Sequence, residues 1–119
     1  PAGQYVDAVA DPALVPQVVA GMRAVDPKLV PQIELIQPYM HLGQLDIVYD
    51  LLFKSLDEDS MAWAKRWDVS HAWGPEGKAF REDRRFGDLA RRMGIVDYWK
   101  QYGFPDGCRA GEDTPIVCS

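Results

Sequence analysis

The chain has 119 residues, 47% of them hydrophobic and 26% charged, with a formal net charge of −5 at pH 7. These are the proportions of one globular domain rather than of a disordered or collagen-like chain. An isoelectric point near 4.9 argues against nucleic acid as a direct partner of this segment, and no run of about 18 apolar residues invites membrane insertion.

Residues 12–24 read as an amphipathic helix. Asp11 is a good N-cap and Pro12 suits the first helical position. Leu14, Val18 and Met22 fall four apart with Val15 and Val19 beside them, and Pro16 still lies in the first turn, where its missing N–H costs little. Residues 30–42 predict a second helix, with Ile33, Ile36 and Met40 on one face and Leu35 and Tyr39 on its flank; Pro38 predicts a kink or break near Gln37, and Gly43 the stop. Residues 44–57 predict a third, striped by Ile47, Val48, Leu51, Leu52 and Leu56 or Ser55. A helix C-terminus disfavours negative charge, so Asp57-Glu58-Asp59 is expected to serve the start of the next helix, with Ser60 as its cap.

Residues 61–67 predict a short helix carrying Trp63 and Trp67, and residues 76–82 another that buries Phe80. Asp83 should cap a helix over 84–93, with Phe86, Leu89, Ala90 and Met93 on one side and Gly94 as its stop; a last helix over 96–102 ends at Gly103. Phe104 to Gly107 is a turn, and Arg109 to Val117 a polar loop. No segment sustains an alternation of period two, so the expected fold class is all-α, built of antiparallel helix hairpins.

The charge is uneven. Residues 1–60 hold three basic against nine acidic side chains, and residues 61–119 ten against nine, with six of the basic ones between Lys78 and Arg92. That cluster reads as a solvated helix face with local ion pairs, the alternative being a groove for an acidic partner. For Cys108 and Cys118 three states are open. A disulfide would stabilise by about 2.5–3 kcal/mol on the chain-entropy model; two free thiols and a metal site are the others. The spacing is not C-x-x-C, and His41 and His71 do not stand at finger spacing. Ser55, Ser60 and Ser70 lie in no nucleophile-elbow pattern, and neither a glycine-rich phosphate loop nor a calcium loop occurs. His71 reads as a turn hydrogen-bonder and His41 as a cation at a helix end. No catalytic residue, metal or cofactor is expected.

A tetratricopeptide pattern can be laid on the chain from Gln32. Leu35 and Tyr39 take its leucine and tyrosine positions and Gly43 its inter-helix turn, while Gln32, Ile36, Val48, Leu52 and Ser60 fill the tryptophan, glycine, alanine, phenylalanine and proline slots. Residues 31–60 thus resemble one degenerate repeat, preceded over Pro12–Pro27 by the second helix of another. The strings Phe80–Phe86, Met93–Trp99 and Gly103–Arg109 are similar to the tails of bacterial tetratricopeptide-repeat (TPR) proteins that carry a winged-helix DNA-binding or nucleotide cyclase domain. Arg84 departs by standing where proline is usual, and Gly107 where phenylalanine is common.

The resemblance implies TPR-like hairpins over residues 1–60 and a capping segment over 61–119 packed on the same core. Trp63, Trp67, Trp73, Phe80, Phe86, Tyr98 and Trp99 would supply the cap, with Arg81 or Arg84 stacked on those rings and paired with Asp83 or Asp97. It further implies a sensory or scaffolding C-terminal part of a larger bacterial signalling protein or transcriptional regulator; a start at Pro1 fits a processed product or excised domain. The expected function is non-catalytic binding of a protein or peptide partner on the inner helix faces, where Gln32, Tyr39 and His41 are the candidate contacts. The alternatives are self-association as a homodimer through an apolar edge near residues 5–22, and a thiol/disulfide redox sensor through Cys108 and Cys118. The compartment is the bacterial cytoplasm or, with the bridge formed, the periplasm beyond a membrane anchor.

Overall fold

The computed structural model describes residues 7–58, 72–73 and 77–119, and the chain divides into two units, Pro1–Leu51 and Leu52–Ser119. The expected helix over 61–67, Asp59, Ser60, Ser70 and His71 lie outside the described residues. The described part is mostly helical with one small two-stranded sheet.

In the first unit Asp11 acts as expected, its carboxylate accepting the Ala13 N–H at 3.1 Å. It opens a 3-10 turn, Pro12–Leu14, that runs into helix α1, Val15–Arg23. Val18 is buried with Ala8 and Leu42, and Leu14, Val15, Val19 and Met22 pack around them. The second expected helix is split into a 3-10 turn, Gln32–Leu35, and helix α2, Ile36–His41. The change of geometry comes two residues before Pro38, whose ring would crowd the carbonyl of Glu34 in a continuous α-helix; starting at Ile36 leaves Pro38 in a first turn, which tolerates it. Gly43 ends α2 at φ +72°, with its own N–H on the Met40 carbonyl and the Gln44 N–H on the Tyr39 carbonyl. This crossed pair of bonds needs a left-handed residue, which glycine adopts without strain.

Helix α3, Leu45–Glu58, carries the division between the units. Val48, Leu52 and Leu56 are buried as its stripe predicts, and so is Tyr49. The helix runs through Asp57 and Glu58, so these two acids sit in its last turn and do not precede a following helix. Their charge at the negative end of the dipole is met by cations. Arg92 pairs with Asp57 while its guanidinium lies 5.3 Å from the centre of the Phe53 ring, and Lys54 stands 4.0 Å from Glu58.

In the second unit α4 (Lys78–Glu82), α5 (Arg85–Arg92) and α6 (Ile95–Tyr102) follow in sequence. They bury Phe80, Phe86, Leu89, Ala90 and Val96. Trp73 meets Phe86 and Trp99 edge to face at 5.8 and 6.0 Å, and Phe80 meets Phe86 at 5.4 Å, the geometry in which a positive ring edge faces a negative ring face. The chain then departs from the all-α expectation. Strands β1, Cys108–Ala110, and β2, Ile116–Cys118, form an antiparallel hairpin where a loop was expected. Strands of three residues are too short to display a period-two pattern.

Helix α5 packs directly on β2. Gly87 makes this possible: a Cβ there would lie 2.8 Å from the Ile116 carbonyl oxygen, a backbone atom that cannot swing away. Gly21, inside α1, has nothing within 4 Å of its would-be Cβ. Gly87→Ala should therefore destabilise by about 1–3 kcal/mol, whereas Gly21→Ala should stabilise by up to about 1 kcal/mol, both read from urea unfolding midpoints. A Gly87→Ala protein as stable as the parent would refute the close packing.

Candidate functional site

The hairpin builds one wall of the site. Backbone bonds join Ser119 N–H to the Gly107 carbonyl at 2.8 Å and Gly111 N–H to the Pro115 carbonyl at 3.4 Å. In this register the pair Cys108–Cys118 falls between hydrogen-bonded rungs, where antiparallel strands come closest. Its Cα atoms are 4.0 Å apart and its sulfurs are bonded. Of the three states open for the cysteines, the structure takes the disulfide. The connecting loop, residues 111–115, folds tightly back on itself. Thr114 Oγ1 donates to the Ile116 carbonyl at 2.6 Å, and the Gly111 Cα comes so near the Thr114 carbonyl that a Cβ would stand 2.3 Å from it.

The corner between α4 and α5 builds the other wall. Asp83 accepts the Arg85 backbone N–H at 2.9 Å, an Asx turn that leads into α5, and binds the Arg85 guanidinium at 3.0 and 2.9 Å. The hydrogen bond from the Arg85 side chain holds the Asp83 carboxyl below its usual 3.8; partial burial opposes this, and the Arg85 backbone bond and charge add to it. The cluster of arginines is thus paired differently from expectation. Asp83 is taken by Arg85, not by Arg81 or Arg84, and Arg81 Nη1 donates to the Ala72 carbonyl at 2.6 Å. Among the described residues a guanidinium lies over a ring at Arg92, which α5 carries past Phe53.

Between the two walls lies a groove of about 370 Å³. Glu82, Asp83 and Arg84 line it from the corner, and Arg109, Glu112 and Asp113 from the hairpin, with Thr114 and Val117 beside them. Two of its four carboxylates are engaged, Glu82 by Lys78 at 2.5 Å and Asp83 by Arg85. Among the described residues no ion pair joins Arg84 or Arg109 to Glu112 or Asp113. All four are exposed. Sequence reasoning missed this groove, since it joins residues 82–84 to residues 109–117; its one local signal was the polar loop enclosed by two cysteines.

The expected contacts lie in the first unit. Tyr39 has no exposed surface; its hydroxyl donates to Gln32 Oε1 at 2.6 Å, and Gln32 Nε2 donates to the Met22 carbonyl at 2.9 Å. Burial pushes the Tyr39 phenol above its usual 10.0, with the charge of Arg23 acting the other way. His41 is exposed in the last turn of α2, its Nε2 3.2 Å from Gln37 Nε2. The structure therefore brings Gln32 and Tyr39 together and sets His41 beside Gln37.

Among the described residues no group of three or more His, Cys, Asp or Glu side chains could hold a metal ion, and no helix is long and apolar enough to cross a membrane. No protein-family model matches the chain, and neither a curated protein nor a solved structure matches it.

Two measurements probe the walls. Folding favours ionised Asp83, so its contribution is fully present above the unfolded value of 3.8 and is lost as pH falls through the lower folded value. Asp83→Asn should cost about 1 kcal/mol at neutral pH and flatten the fall of the urea midpoint as pH drops below 3.8. Replacing both Cys108 and Cys118 by Ser should lower stability by about 2.5–3 kcal/mol. An unchanged midpoint in reductant would show that the bridge constrains nothing.

Proposed function

We propose that this chain is a non-catalytic interaction module that takes a protein or peptide partner. The observation that carries this reading is the open groove of the second unit, whose stapled hairpin and capped corner hold charged side chains outward with valence to spare. Enclosed small-molecule sites bury most of their ligand; an open groove suits a chain laid along a surface. The resemblance of residues 31–119 to the tails of bacterial TPR regulators supports placing the module at the C-terminal end of a signalling protein or transcriptional regulator. The bonded cysteines favour an oxidising compartment such as the periplasm. His41, exposed in the last turn of α2, is a secondary contact of the first unit, whereas Gln32 and Tyr39 are bonded to each other.

Selection of phage-displayed peptides on the purified chain tests the reading. The expected result is convergence on one family of sequences that bind as free peptides with micromolar affinity. Failure to converge, or a chemical turnover by the chain abolished by changing one polar side chain, would overturn it. Self-association is the second reading, favoured by Tyr98 and Tyr102, which are 61% and 67% exposed with ring centres 4.8 Å apart on α6. Light scattering decides it: a binder stays at 13.4 kDa as concentration rises, whereas self-association doubles that mass and is lost in Tyr98→Ser/Tyr102→Ser.

A further inference from the structure

We infer that the groove between the α4–α5 corner and the hairpin binds an extended peptide segment bearing both acidic and basic side chains, the acidic ones on Arg84 and Arg109 and the basic ones on Glu112 and Asp113. This rests on the interaction-module reading and gives it a ligand chemistry. With Glu82 engaged by Lys78 and Asp83 by Arg85, the charges left in the groove are two cations and two anions. Opposite charges that share a groove without joining in ion pairs keep their hydrogen-bonding valence for a ligand. A purely anionic ligand would be repelled by Glu112 and Asp113 and a purely cationic one by Arg84 and Arg109; only a ligand of both signs satisfies all four.

The form of the ligand follows from the hairpin. Arg109 and Val117 are directly opposed in the register, so their side chains share one face of the sheet, and Val117 is 40% exposed. In an extended ligand every second side chain turns to the same wall, so charges at alternate positions can meet the groove charges together, with Val117 offering apolar surface beside Arg109. The walls are set before the ligand arrives. The disulfide and the Thr114 bond fix the hairpin, and the Asp83–Arg85 bonds fix the corner, so the ordering that opposes binding is that of the exposed side chains rather than of the backbone.

Fluorescence anisotropy on the full chain tests this with three labelled peptides of equal length, in which the charged positions are alternating Glu and Lys, all Glu, or all Lys, separated by Val. The alternating peptide should bind at least about tenfold more tightly than either other, and added salt should weaken it. Arg84→Glu/Arg109→Glu and Glu112→Lys/Asp113→Lys should each weaken it by about tenfold or more. Arg91→Glu, the same charge change outside the groove, should leave it within about twofold, and unfolding midpoints should confirm that all variants fold. A single-sign peptide that binds equally well overturns the inference. Binding indifferent to the four groove residues also overturns it and leaves the interaction-module reading standing. If phage-selected peptides bind but none of the three probes does, the inference falls alone; if nothing binds, both fall.

Discussion

The approach of α5 to β2, backbone against backbone at Gly87 and Ile116, is the constraint on which the second unit depends. A two-stranded hairpin with three-residue strands is marginal in water by itself. Here its inner face, Ile116 and Cys118, is buried, and its open end is closed by the bridge to Cys108. A side chain at position 87 would lift the hairpin off the helix and widen the groove that the hairpin walls. The geometry of recognition and the stability of the fold therefore meet at one glycine.

The basic cluster between Lys78 and Arg92 follows from the same economy of space. Arg85 pairs with Asp83, Arg91 with Asp88 at 2.7 Å, and Arg92 with Asp57, while Lys78 reaches Glu82 one helical turn on. Exposed pairs of this kind contribute little stability individually. Their consequence is selectivity: they neutralise most of the cluster and leave Arg84 at the corner without an ion pair among the described residues. A stretch that holds six basic residues in sequence presents one cation, Arg84, to the groove.

The helices were legible because their signals are local. Asp11 and Asp83 announce helix starts through side chains two residues from the N–H groups they accept, and Gly43 and Gly94 end helices within one turn. What stayed hidden depends on partners far along the chain or on segments too short to carry a period. Asp57 was read as belonging to a following helix because its cation, Arg92, lies 35 residues away. The strands were read as loop because the hairpin is held by a bridge and by a helix, neither of which leaves an alternation in three residues. The groove joins a helix corner to that hairpin and has no contiguous signature at all.

Tyr39 shows how far a repeat-like pattern can lead toward a site. Its slot in the tetratricopeptide pattern and its place on the flank of α2 both suggest a residue facing a partner. The structure makes it the base of a relay in which its hydroxyl bonds to the Gln32 carboxamide oxygen and the Gln32 nitrogen bonds to the Met22 carbonyl. A buried hydroxyl without an acceptor costs about 1–3 kcal/mol, so a partner that drew Gln32 away would have to offset that cost as well as replace the bond to Met22. Side chains already engaged by the fold are poor recognition groups. Arg84, Arg109, Glu112 and Asp113 are the reverse case: all four are exposed and joined by no ion pair among the described residues, Arg109 making only a 3.4 Å bond to the neighbouring Ala110 carbonyl, so a ligand that supplies opposite charges breaks no ion pair that holds the chain together.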